Sequence, residues 1–167
     1  MKVKKLVLMA LLTAMALIIF TVEAQIPNPV PIPGVKLGLA NIITVYAMFT
    51  LGPVPTLMIL ICRVFLGSVF AGQMMTLFYS LGGGLLCYGS MLIMRKFVTL
   101  RQIWVCSAVG AVFHNIGQIL VAILITHTPG LIVYLPLLLV SGIIAGILTG
   151  LSAQFIVQRL PGQFTKK

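Results

Sequence analysis

The chain has 167 residues, of which 60% are hydrophobic and only 7% charged, against roughly 25% charged in an ordinary soluble domain. Eleven of the charged residues are Lys or Arg, and a single one, Glu23, is acidic. This balance excludes a water-soluble globule, paired-carboxylate acid–base chemistry and aspartate-rich magnesium–diphosphate sites.

A helix needs about 20 mostly apolar residues to cross a hydrocarbon core of about 30 Å. Six stretches meet or approach that length, at about 6–22, 37–51, 55–70, 76–94, 103–125 and 131–157. The second and third are short and are split by Gly52-Pro53-Val54-Pro55, where two prolines force a turn. Together the six use most of the chain, so 1–167 reads as a single integral membrane domain of all-α class. The runs are continuously apolar, without alternation of period two, which rejects a β-barrel. The first run, with Lys2, Lys4 and Lys5 ahead of it and Val22-Glu23-Ala24 after it, also has the outline of a secretory signal. At about 17 residues it is long for one, and it is retained as the first span.

Basic residues set the orientation. Lys2, Lys4 and Lys5 precede the first span, Arg95, Lys96 and Arg101 bracket the link between the fourth and fifth, and Arg159, Lys166 and Lys167 follow the last. With both termini cytoplasmic, nine of the eleven basic residues lie inside, leaving Lys36 in the first outer loop and Arg63 within the third span. A multi-pass protein of a bacterial cytoplasmic membrane is the expectation. The net charge of +10 is then a topology signal and a contact with anionic lipid of the bilayer. A nucleic-acid partner is not expected, because no basic, aromatic-studded surface is present. Cys62, Cys87 and Cys106 have no metal-ligand spacing and read as small packing residues.

Ionisable groups in hydrocarbon are costly and face a cavity or a partner. Arg63 lies near the middle of span three, and His114, Asn115 and Gln118 lie in span five. His114 stands about eleven residues, roughly 17 Å, beyond Ile103, near mid-membrane. His114 and Gln118 are four apart and share a face, while Asn115 points away as helix-packing glue. Asn41 is one turn into span two, and Glu23, Gln25 and Lys36 stand at the outer ends of spans one and two. Gln73 lies in the turn before span four and Tyr79 at its start. The inner half is nearly free of polar side chains, so an outward-facing pocket built from Arg63, Lys36, Asn41, His114, Gln118 and Glu23 is the economical reading. Two readings of Arg63 stand side by side: a structural lock with Glu23, or a contact to a bound solute. His114 is either a ligand contact or an interhelical hydrogen-bonding residue, and His127 reads as a solvated loop residue. The pocket leans cationic, and Arg favours planar partners such as carboxylate or phosphate.

Ile26-Pro27-Asn28-Pro29-Val30-Pro31-Ile32-Pro33-Gly34 has four prolines in nine residues and is stiff and extended, either a lid over the pocket or a strap between helices. Small residues at intervals of four permit close helix contact. Gly142, Gly146 and Gly150 form such a row in span six and read as packing within the bundle; Gly82-Gly83-Gly84 open span four; Ala10 and Ala14 form a shorter row that faces either the bundle or a partner.

Pro31-Ile32-Pro33-Gly34-Val35-Lys36-Leu37-Gly38-Leu39-Ala40-Asn41-Ile42, with Arg63, Gly82-Gly83-Gly84 and His114-Asn115-Ile116-Gly117-Gln118, resembles the Gx transporter family, also labelled heptaprenyl diphosphate synthase component I. The resemblance covers nearly the whole chain, and the proline-rich loop with its continuation is its most specific part. The family is similar to the substrate-binding S components of energy-coupling factor transporters. That likeness implies an S-component-like bundle of six transmembrane helices with cytoplasmic termini. It also implies a vitamin-like or amphipathic solute taken from outside, with flavins and isoprenoid or quinone precursors the first to test. It further implies that Ala10 and Ala14 meet a transmembrane coupling (T) subunit, and that a pair of partner ATPases hydrolyses ATP. This chain has no G-x-x-x-x-G-K-[ST] phosphate loop of its own, and no bound cofactor is expected. The synthase label meets a chemical obstacle: prenyl transfer needs magnesium held by clustered aspartates, and this chain has no Asp. It is expected not to be an enzyme. The alternative to a transporter subunit is a non-catalytic accessory or scaffold of an isoprenoid or quinone pathway enzyme.

Overall fold

A computed structural model describes residues 3–23, 25, 38–72 and 74–159. It is all-helical, with no strand among the described residues. The elements are α1 (Val3–Glu23), α2 (Asn41–Thr50), α3 (Pro53–Ala71), α4 (Met74–Met94), α5 (Ile103–Thr126), a 3₁₀ turn (Pro129–Tyr134) and α6 (Leu135–Arg159). Five segments, α1, α3, α4, α5 and the 3₁₀ turn with α6, are long and apolar enough to cross a membrane. Their outward faces carry large apolar side chains, among them Leu11, Ile18, Phe65, Leu124, Ile144, Leu148 and Phe155. This is the inside-and-outside apolarity of a multi-pass membrane bundle.

Two boundaries differ from the sequence expectation in ways that matter. The run expected at 37–51 yields a helix of only ten residues, about 15 Å long, because Gly38 has φ +83° and cannot belong to a right-handed helix. The other concerns Gly82-Gly83-Gly84. They do not open α4 but lie in its middle, since the helix starts eight residues earlier at Met74.

Those glycines explain the strongest packing in the molecule, α5 against α4 and α6. A Cβ on Gly117 would stand 2.6 Å from the Gly82 carbonyl oxygen and 2.8 Å from the Gly83 Cα, so α4 and α5 meet backbone to backbone. On the other side of α5, the Gly142, Gly146 and Gly150 row receives Asn115, Ala111 with Ser107, and Trp104. Ser107 and Thr149 share a hydrogen bond of 3.1 Å across the same seam. Without a hydrophobic drive between helices in lipid, such close contacts carry the association. Gly117→Ala is therefore expected to push α4 and α5 apart and destabilise the bundle by about 1–3 kcal/mol, read as a lower Tm in detergent. Ala at Gly89, where a Cβ meets nothing within 4 Å, is the control and should leave Tm unchanged.

The other half is looser. Helix α1 touches only α2 and α3 among the described elements, burying Met9, Leu12 and Ala16 against Ile43, Ala47, Leu51 and Ile59. Neighbouring contacts, Phe20 on Gly67, Leu60 on Gly84, Met91 on Gly110 and Trp104 on Gly150, run α1 parallel to α3 and antiparallel to α4, and α6 antiparallel to α5. Lys4, Lys5, Arg95, Lys96, Arg101 and Arg159 consequently share one end of the bundle. Glu23, Ala71 and Thr126 lie toward the other.

Candidate functional site

Helix α2 begins halfway along its neighbours. Asn41, its first residue, accepts a hydrogen bond at 2.7 Å from Nη2 of Arg63, which lies mid-way along α3. Three residues earlier, Gly38 packs on the ring of His114, mid-way along α5: a Cβ there would stand 3.2 Å from His114 Cδ2 and 2.9 Å from Asn41 Nδ2. The backbone N–H of Gly38 donates to Oε1 of Glu23, the last residue of α1. His114 and Gln118, one turn apart on α5, close over Gly83 of α4. The structure thus gathers Glu23, Asn41, Arg63, His114 and Gln118 from four helices around a stretch of non-helical backbone at Gly38. Non-helical backbone at such depth is tolerated only where protein buries it or it lines a cavity.

All five side chains are buried, yet their hydrogen-bonding capacity is not used up. Arg63 Nε, His114 Nδ1 and Gln118 Oε1 are buried without a hydrogen-bond partner, as is Oγ1 of Thr44, three residues after Asn41 and on the same helix face. Leaving a buried polar atom unpaired costs about 1–3 kcal/mol, so the three on Arg63, His114 and Gln118 mark a place that is not built for stability alone. Arg63 and Glu23 attract as opposite charges, while the hydrogen bond of Arg63 goes to Asn41 and Glu23 accepts from the Gly38 amide.

The remaining site residues sort as follows. Lys36, the proline-rich segment and Gln73 lie outside the described residues. Asn115 turns to α6, donating from Nδ2 to the Leu138 carbonyl. His127 caps α5 in the left-handed conformation, φ 52°, and is exposed. Ala10 and Ala14 face outward with Thr13 and Leu17, forming with Met58, Cys62 and Leu66 of α3 an apolar groove of about 400 Å³. Thr44, buried with an unpartnered hydroxyl on the Asn41 face of α2, was not singled out from sequence. The signal for Thr44 was its i, i+3 spacing from Asn41. Gly38 was legible as a glycine that lets backbone come close to a ligand or another helix, and the structure packs it on His114 and Asn41.

Residues 12–156 match the family model described as heptaprenyl diphosphate synthase component I. The chain belongs to that family. No curated protein and no solved structure matches it. The name makes this component I of a synthase, and its residues bear on what such a component contributes. A magnesium–diphosphate clamp does not fit them: the chain has no Asp, and its one Glu is already engaged with the Gly38 amide. No three His, Cys, Asp or Glu gather among the described residues.

Proposed function

We propose that this component I chain is the solute-binding membrane subunit of an energy-coupling factor-type transporter. It lies in a bacterial cytoplasmic membrane as a six-span protein with both termini inside. It takes up a small vitamin-like or amphipathic solute from the outer face, a flavin or an isoprenoid or quinone precursor. The observation that carries the reading is the buried cluster of Arg63, His114 and Gln118 with unused hydrogen-bonding atoms, set where α2 starts short of the bundle's end. Interrupted helices with substrate sites at their inner ends are how membrane transporters solve binding at depth. The basic residues at the α1 end support the cytoplasmic termini. The outward Ala10–Ala14 face supports docking of a coupling subunit, and a partner ATPase pair would supply the energy.

Two halves of unequal tightness suit this role. The glycine-sewn α4–α5–α6 unit holds His114 and Gln118, while α1, α2 and α3 bring Glu23, Asn41 and Arg63. A small shift of the looser half against the tighter one opens or closes the cluster without breaking the strong seams. The test is a thermal-shift panel of flavins, quinone precursors and prenyl diphosphates on the detergent-solubilised protein. At least one solute is expected to raise Tm, with the gain lost in His114→Ala and in Gln118→Ala while the unliganded variants remain folded.

The family description favours a second reading, a non-catalytic membrane accessory of an isoprenoid or quinone pathway enzyme. Copurification with a prenyl synthase, together with no stabilising solute, would establish it in place of the first.

A further inference from the structure

We propose that Cys87, Met91 and Cys106 form a binding site for one soft monovalent metal ion, of which Cu(I) is the biological example, in the seam between α4 and α5. The site goes beyond the solute cluster and does not depend on it. Sulfur is concentrated in this seam. Met48, Cys87, Met91 and Cys106 lie in one core cluster, each no more than 2% exposed, and Met94 packs against it. Within the cluster, the Cys87 thiol meets Met91 Sδ at 3.5 Å. The two residues are four apart, so the turn of α4 puts them on one face. Cys106 comes from α5, with its Sγ 3.9 Å from the Met91 carbonyl oxygen, and it is near enough to Cys87 for the two thiols to act on each other electrostatically. Cysteine spacing in the sequence does not show such a site, because one ligand is a thioether and the two thiols belong to different helices.

Two sulfurs that share a metal at about 2.3 Å each stand about 3.8 Å apart at the tetrahedral angle. Cys87 and Met91 are therefore close to the separation of a chelating pair before any metal arrives. Beside them α5 presents Gly110, where a Cβ would stand 3.1 Å from Cys87 Sγ and 3.2 Å from Met91 Sδ. Glycine there keeps a side chain from pressing on both sulfurs, and Cys106 lies one turn before it on the same face of α5. The donors select the ion. Thiolate and thioether are soft and favour Cu(I), whereas magnesium and calcium take oxygen. A structural zinc site draws four ligands from thiolate, imidazole and carboxylate, and among the described residues no His, Asp or Glu joins the two cysteines. The hydroxyl of Ser90 is spent on the Cys87 carbonyl. A bare thiolate in apolar surroundings is costly, so the cysteines give up their protons as the metal binds: one ion enters and the two thiol protons leave. Met91 stands one turn before the end of α4 and Cys106 one turn after the start of α5. The site is thus about a turn from the end of the bundle that carries Arg95, Lys96 and Arg101, the proposed cytoplasmic side, where thiols stay reduced.

The test uses the full chain in detergent under reducing conditions, with Cu(I) supplied from a chromophoric Cu(I) chelator. The parent is expected to take one Cu(I) per chain from the chelator, and X-ray absorption at the copper edge should show sulfur neighbours alone. Cys87→Ser, Cys106→Ser and Met91→Leu should each weaken Cu(I) binding at least about tenfold, since even an outer partner of a metal ligand is worth that much. Met91→Leu keeps an apolar side chain of similar volume, so its Tm stays close to the parent's and its lost affinity reads the ligand rather than the fold. Cys62→Ser, in the groove between α1 and α3, is expected to bind Cu(I) as the parent does. The copper-edge spectrum of the parent decides the question if either serine variant fails to fold. No uptake from the chelator, nitrogen or oxygen neighbours at the copper edge, parental affinity in Met91→Leu, or a loss of binding in Cys62→Ser overturns the site.

Discussion

Arg63→Met lowers the stability of the bundle by about 1–3 kcal/mol, the expected cost of leaving a buried polar group without its hydrogen-bond partner. Methionine keeps much of the volume of the side chain, so the loss is not a cavity effect. What remains is Asn41 Oδ1, deprived of its donor at 2.7 Å, and Glu23, deprived of the positive charge that favours it. The size of the effect follows from burial: on a solvated surface water would replace the lost donor. The measurement is thermal unfolding in detergent of Arg63→Met, Glu23→Gln and the double variant. If Arg63 and Glu23 offset each other, as their attraction implies, the double variant loses less than the sum of the two single losses. A coupling within error of zero would show that Glu23 and Arg63 do not balance each other, and would remove the electrostatic basis of the cluster as described.

The second large effect concerns transport rather than folding. Ala10→Leu with Ala14→Leu is expected to cut solute uptake at least tenfold while leaving Tm and solute affinity within about twofold of the parent. The two alanines are exposed and line the groove between α1 and α3, so added bulk meets no bundle core. Leu12 and Ala16, which help hold α1 in place, lie on the other face. Small residues four apart admit a partner helix to backbone distance, and two leucines would hold it off. The assay is uptake in cells that carry the proposed coupling and ATPase partners, paired with a thermal shift on the purified variant. Uptake at the parental rate would overturn the assignment of this face to coupling. A parallel fall in Tm would show that the alanines pack within the bundle.

Much of the fold was legible because the bilayer imposes simple rules. Runs of apolar residues near 20 long had to be helices, since only helices and closed barrels satisfy the backbone in lipid. The placement of α1, α3, α4 and α5 follows within a few residues. Span two broke the rule. Its apolar run extends to Leu37, and composition alone continued the helix through it, while Gly38 turned the backbone to φ +83°. A glycine in an apolar run is compatible with helix or break, and the contacts around it decide. The run expected at 131–157 likewise starts as a 3₁₀ turn, with Pro129 at its head, before α6 begins at Leu135.

The candidate site divides in the same way. That Glu23, Asn41, Arg63, His114 and Gln118 had to be explained was written in the sequence, because a polar side chain in a chain this apolar is conspicuous by chemistry alone. That His114 and Gln118 share a face, and that Asn115 does not, followed from helical periodicity. Their meeting around Gly38 did not follow, because it depends on where α2 starts relative to the middles of α3 and α5. The sequence by itself determined the solvent this protein lives in and the few groups that pay for being there. Only the tertiary structure decided which of them touch, since lipid constrains each helix singly but leaves the fit between helices to side-chain shape.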